Sequence, residues 1–296
     1  MASENIAMLR IFGIRISRTK GSGKRRQSAV LFFLSAGLMA FLCAGGASRH
    51  VSAQSARDFY PIPSPTPSQQ SGLKSASQPL YIELGRSVKG SPITAVVYGT
   101  GKRRVIVFGG IHGNESDSSI VAKALMGSFW QERVPEGLTI IVVPDVNPDG
   151  LLANTRANAR GVDINRNFPS TSWRSDYTDE QQFPGAEPAS EPETRAVIKL
   201  LETSPPDFII TLHAALGCVN WDGPGEELAR VIANVNGYPL CPYLGYETPG
   251  SLGTLMGADK KLPVVTIELR NSKASDLVQE NVPALRALLS YIASSK

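Results

Sequence analysis

The 296-residue chain is 42% hydrophobic and 19% charged, enough apolar side chain for one sizeable domain and a composition unlike that of a disordered polymer. Its net charge of +4 does not mark a nucleic-acid-binding protein. Residues 1–53 hold eight of the 30 basic groups against one acid, Glu4, which leaves 22 basic and 25 acidic groups, net −3, in the remainder. With only three cysteines, a disulfide scaffold and a cysteine-rich zinc site are both excluded.

The chain opens on a targeting segment. The basic stretch Lys20–Arg26 precedes the apolar run SAVLFFLSAGLMAFLCAGGA at residues 28–47, and Val51-Ser52-Ala53 offers small side chains for signal-peptidase cleavage. Arg25 and Arg26 also permit twin-arginine export. A run of roughly twenty apolar residues can span a bilayer, so an uncleaved membrane anchor through residues 28–47 is the alternative to a cleaved signal peptide. Both place the body outside the cytoplasm, periplasmic or secreted. Residues 54–78, which include the Pro/Ser-rich stretch at 60–72, read as an extended linker, and the catalytic body should occupy residues 79–296.

Within the body, strands are expected at Leu80–Leu84, Ile93–Tyr98, Val105–Phe108, Thr139–Val143, Phe208–Leu212 and Val264–Leu269, several of them apolar on both faces. Helical patterns alternate with them at Ser118–Trp130, Glu191–Glu202, Glu226–Asn236 and Val282–Ala293. Ser190 and Glu193 have the spacing of a capping box, with Pro192 inside the first turn. The alternation predicts an α/β fold, a mixed, largely parallel twisted sheet flanked by helices on both faces. In such folds ligands bind beyond the carboxyl ends of the strands.

The residues able to do chemistry cluster at those ends. The run ending at Ile111 is followed by His112-Gly-Asn-Glu115, a histidine and a carboxylate on one tight turn. The run from Phe208 ends at His213, the other histidine of the body. Two histidines and one glutamate make a zinc set that leaves a fourth position for water. Glu268, inside the apolar run Val264–Leu269, is costly to bury unless it is partnered by Arg270 or acts as a general base. In GVDINRNFP at 161–169, Asn165 and Arg166 suit a carboxylate, since guanidinium forks bind it bidentately. Asp163 can orient a ligating histidine through its other ring nitrogen.

These segments together resemble the zinc carboxypeptidase family, from about Leu84 to Arg270. The resemblance rests on HGNE at 112–115, NPDG at 147–150, TRANARGVDINRNFP at 155–169, SEPETRA at 190–196, the strand ending in His213 and TIELR at 266–270. The segments LHAALGCVNWDGP (212–224) and GYETPGSLGT (245–254) resemble its murein peptide amidase branch. The resemblance implies one zinc ion held by His112, Glu115 and His213, with Glu268 as general base and proton shuttle. It also implies that Asn165 and Arg166 bind the carboxylate at the substrate's free end, and that Arg156 stabilises the oxyanion, with Arg160 a second candidate. Tyr246 falls near the position of a mobile, substrate-capping tyrosine. Asn114 stands where the digestive enzymes carry arginine, so their subsite contacts do not transfer.

The implied activity is a zinc-dependent hydrolysis of an amide next to a carboxylate-bearing residue. The bond expected is the γ-D-glutamyl–diaminopimelate amide of murein peptides, with a peptide or muropeptide as substrate. A general C-terminal carboxypeptidase is the alternative. An aspartoacylase-like deacylase shares HGNE and an Asn-Arg pair, but SEPETRA and TPGSLG argue against it. Cys218 and Cys241 are compatible with one bridge or with two buried thiols.

Overall fold

The computed structural model describes residues 79–295; the expected leader, anchor and linker at 1–78 lie outside the described residues. Seven strands form one sheet: β1 (Leu80–Arg86), β2 (Pro92–Tyr98), β3 (Arg103–Phe108), β4 (Leu138–Val143), β5 (Phe208–Ala214), β6 (Cys218–Asp222) and β7 (Val264–Leu269). Their order is β1-β2-β4-β3-β5-β7-β6. The four central strands are parallel, while β1, β2 and β6 run antiparallel to their neighbours, so the sheet is mixed as expected.

The helices are α1 (Ser116–Gln131), α2 (Pro148–Ala153), α3 (Pro192–Thr203), α4 (Glu226–Asn236) and α5 (Ala274–Ser294). On β3, Val105 and Val107 enter one hydrophobic cluster while Ile106 and Phe108 enter a second. A strand covered on both faces has no solvent side, which is why its sequence is apolar at consecutive positions. The first cluster takes Val121, Leu125 and Met126 of α1, Leu228 and Ile232 of α4, and Leu285, Leu288 and Ile292 of α5. Ala196, Val197 and Leu200 of α3 cover the opposite face.

Several local expectations are corrected. Helix α5 begins at Ala274, eight residues before the expected start, and continues through Pro283 because Leu277 is already buried in the core. The capping box does not form: Glu191 is the N-cap residue, and the Glu193 carboxylate instead accepts from the Val88 amide (3.0 Å) and Asn158 Nδ2 (3.1 Å). Strand β6 and helix α2 were not anticipated. Helix α2 starts in the NPDG segment, where Asn147 Oδ1 accepts from the Gly150 amide at 2.9 Å and Pro148 sits in the first turn.

Candidate active site

From β3 the chain crosses to β4 on one side, and β5 later packs on the other. That reversal opens a crevice at the carboxyl ends of the parallel strands. His112 lies four residues beyond the end of β3, and His213 is the penultimate residue of β5, so neighbouring strands deliver both imidazoles to the same end. Glu115 is the N-cap residue of α1. Gly113 is required between them, because a Cβ there would lie 1.9 Å from the Gly150 carbonyl carbon. This close approach packs HGNE against NPDG, and the Gly113 amide donates to the Arg156 carbonyl at 3.3 Å.

The three side chains converge. His112 Nδ1 is 2.7 Å from Glu115 Oε1, His213 Nδ1 is 2.9 Å from Glu115 Oε2, and the two Nδ1 atoms are 3.2 Å apart. All three residues are buried, and their ligand atoms lie within 4.8 Å of one another. Two imidazole nitrogens and a carboxylate aimed at one point make a donor set that suits a divalent zinc ion. His112 Nε2 donates to Asp163 Oδ1 at 3.1 Å, which turns the Nδ1 lone pair toward that point. Burial pulls the His112 ring down in the metal-free state, but Asp163 and Glu115 outweigh it and push the ring up to about 9. Burial would raise Glu115; the two histidines outweigh it and hold its carboxyl well below the usual range.

Asp163 also holds Arg156, accepting from Nε at 3.0 Å and Nη2 at 2.9 Å. Arg156 Nη1 reaches Glu115 Oε1 at 3.3 Å, and its side chain lines the cavity. Arg160 points elsewhere, toward Glu191 Oε2 at 3.5 Å. Arg166 is buried, donates to its neighbour's carbonyl (Asn165 O, 2.9 Å), and has no carboxylate at ion-pair distance and an unpartnered Nε among the described residues. Asn165 Oδ1 accepts from the Leu252 amide at 3.0 Å. Tyr246 lines the same cavity from its solvent side and is 45% exposed. Glu268 pairs in register with His213 across β5 and β7. Burial pushes its carboxyl up, with Glu115 adding to the effect. Arg270 is not its partner: that guanidinium pairs with Glu280.

Several contributors to the site escaped the sequence reading. Asn158 Oδ1 accepts from the amides of Arg160 (3.0 Å) and Val162 (3.1 Å), while Nδ2 donates to Glu191 (2.8 Å) and Glu193 (3.1 Å). This buried knot shapes the loop that carries Arg156 and Asp163. Asn220, Asp222, Thr211 and Thr266 form a polar wall of the cavity. The alternation of Cys218, Asn220 and Asp222 on β6 was the available signal. Cys218 and Cys241 are free thiols.

The zinc carboxypeptidase family model matches residues 75–226, about half of the chain. The murein peptide amidase A of Escherichia coli K12 is 32% identical over 219 residues, covering 70% of this chain and 88% of that protein. The chain belongs to the zinc carboxypeptidase family. The crystal structure of a murein-tripeptide amidase from Escherichia coli O157 superposes with a TM-score of 0.60 at 27% identity, covering 76% of this chain and 96% of that one. Thrombin-activatable fibrinolysis inhibitor shares the fold with a TM-score of 0.64 at 20% identity, over 77% of this chain and 72% of its own. As a zinc carboxypeptidase the protein is a hydrolase of the peptidase class whose cofactor is zinc, and the His-Glu-His cluster can hold that ion. Among the described residues no helix is long and apolar enough to cross a membrane.

Proposed function

We propose that the protein hydrolyses the γ-D-glutamyl–diaminopimelate amide of murein peptides. The observation that carries this reading is the meeting of three features on one cavity. These are the His-Glu-His donor set, the carboxylate of Glu268, and the buried guanidinium of Arg166 that lacks a carboxylate of its own. Similarity to murein peptide amidase A over 88% of that relative's length supports the choice of substrate.

His112, Glu115 and His213 would hold the zinc ion, which when bound would supply a Lewis acid that makes the attacking water easier to deprotonate. Glu268 takes a proton from the attacking water at its carboxylate and returns it to the departing amine nitrogen. Its burial beside His213 keeps it close to the reacting atoms and makes it a stronger base than an exposed carboxylate. Arg156 offers its guanidinium to the oxygen on which negative charge builds. Arg166 and Asn165 grip the carboxylate of the leaving residue, and Tyr246 covers the bound peptide from the solvent side. Asp163 steadies both His112 and Arg156.

The chain is proposed to act outside the cytoplasm, with residues 1–53 as signal or anchor and 54–78 as spacer ahead of the catalytic domain at 79–296. Incubation with a defined murein tripeptide, followed by mass analysis, should release free diaminopimelate. Release only of C-terminal residues from ordinary peptides would favour a general carboxypeptidase.

A further inference from the structure

Helix α1 begins at a residue whose side chain does not cap it. Glu115 is the N-cap, yet its carboxylate makes no hydrogen bond to the helix amides and meets His112 and His213 instead. An N-cap side chain ordinarily accepts from the amide of the second or third helical residue. Turning it away leaves the helix start, and the turn before it, without that local support. The same turn has to bring His112 and Glu115 to one point.

Ser118 supplies what the cap does not. It is the third residue of α1 and fully buried. Its hydroxyl donates to the Glu115 carbonyl at 2.6 Å and accepts from the Gly110 amide at 2.9 Å. Gly110 precedes His112 by two residues and Glu115 ends the turn, so one hydroxyl ties the segment at both ends. The far end is itself anchored, because the Gly110 carbonyl accepts from the Asn147 amide at 2.8 Å. Gly110 reaches that place with a φ of +61°, and a Cβ there would lie 2.9 Å from the Pro144 carbonyl oxygen. Alanine at 118 would leave the buried Gly110 amide without this acceptor.

We propose that Ser118 is a positioning residue for the zinc site, its hydroxyl fixing the placement of His112 relative to Glu115. The proposal rests on zinc being held by His112, Glu115 and His213. Ser118 is not among the residues that line the cavity, so it acts on the ion only through the turn it ties. A turn held at both ends already has the arrangement the ion needs. An untied turn must be ordered when the ion arrives, and that ordering weakens binding.

The test measures zinc affinity by chelator competition, and the unfolding midpoint beside it, in wild type, Ser118→Ala, Ser118→Thr and Val121→Ala. Ser118→Ala should bind zinc about 10- to 100-fold more weakly, as expected when a group that orients a ligand is lost. Ser118→Thr keeps the hydroxyl and should stay within about threefold of wild type. Val121 lies in the core on the same helix. Val121→Ala should lower the midpoint but keep zinc affinity within about threefold, since a smaller margin of stability does not alter metal binding by a protein that is still folded. Should Ser118→Ala be unfolded at the assay temperature, Ser118→Cys takes its place. It fills similar space with a weaker hydrogen-bonding group, and its expected loss is at least about threefold. Wild-type affinity in the Ala variant, or in the Cys variant standing in for it, overturns the assignment and leaves the ligand set standing. So does an equal loss in Val121→Ala or in Ser118→Thr. If wild type itself binds no zinc, the ligand set fails and the Ser118 assignment falls with it.

Discussion

His213 and Glu268 are paired residue to residue across the parallel strands β5 and β7, so an imidazole and a carboxylate rise from one row of the sheet. The proposed metal ligand and the proposed proton carrier are thus held by the same ladder of backbone hydrogen bonds.

Glu268→Gln keeps shape and hydrogen bonding but cannot accept a proton. It should bind zinc like wild type and lose on the order of 100- to 10,000-fold in kcat. Elemental analysis and steady-state kinetics check this together, and full activity would remove Glu268 from the base role. His213→Ala should behave in the opposite way, with little bound zinc and no turnover.

Zinc uptake should depend on pH in a defined direction. With the His112 ring pushed up to about 9 in the metal-free protein, a proton must leave Nδ1 before it can ligate. Affinity should therefore rise with pH and level off above about 9. Calorimetry in two buffers of different ionisation enthalpy should report proton release at pH 7. Asp163→Asn removes the carboxylate that orients His112 Nε2 and should weaken zinc binding by about 10- to 100-fold, measured by chelator competition.

Asn158 is buried and satisfies two amides and two carboxylates at once. Asn158→Ala should lower stability by about 3 kcal/mol in denaturant unfolding, because buried partners lose their hydrogen bonds. Asn158→Asp should cost more, since it sets a third carboxylate beside Glu191 and Glu193. Unchanged midpoints would show that water replaces the asparagine.

Burial pushes the Cys218 thiol up to about 12, with hydrogen bonding to Cys241 adding to it. A thiolate is the reactive form, so iodoacetamide at pH 8 should spare Cys218 in the folded protein and modify it after unfolding. Peptide mapping separates it from the partly exposed Cys241. Rapid labelling of Cys218 in the native state would contradict its place beneath the sheet edge.

Much of the architecture could be read from one dimension. Six of the seven strands and four of the five helices announce themselves through apolar runs and helical spacing, because those patterns record which faces a local segment hides from water. Helix α4 and strand β7 fall at the expected bounds. Strand β6 did not announce itself: Asn220 and Asp222 face a polar cavity, and a half-polar strand at a sheet edge has no apolar run. Helix α5 started early because its first turns are held by the core contact of Leu277 rather than by a local start signal.

The candidate chemistry divides in the same way. Histidine and glutamate at strand ends, and an Asn-Arg pair in a loop, were visible as residue types at telling spacings. That His112 and His213, 101 positions apart, aim their Nδ1 atoms at one point follows from β3 and β5 being neighbours, and strand order depends on packing that no short window contains. The same holds for Arg156 facing the cavity while Arg160 turns to Glu191, and for Glu193 leaving its own helix terminus to hold Asn158. Local periodicity reports burial; partnership between buried polar groups is a property of distance, and distance is set when the chain closes on itself.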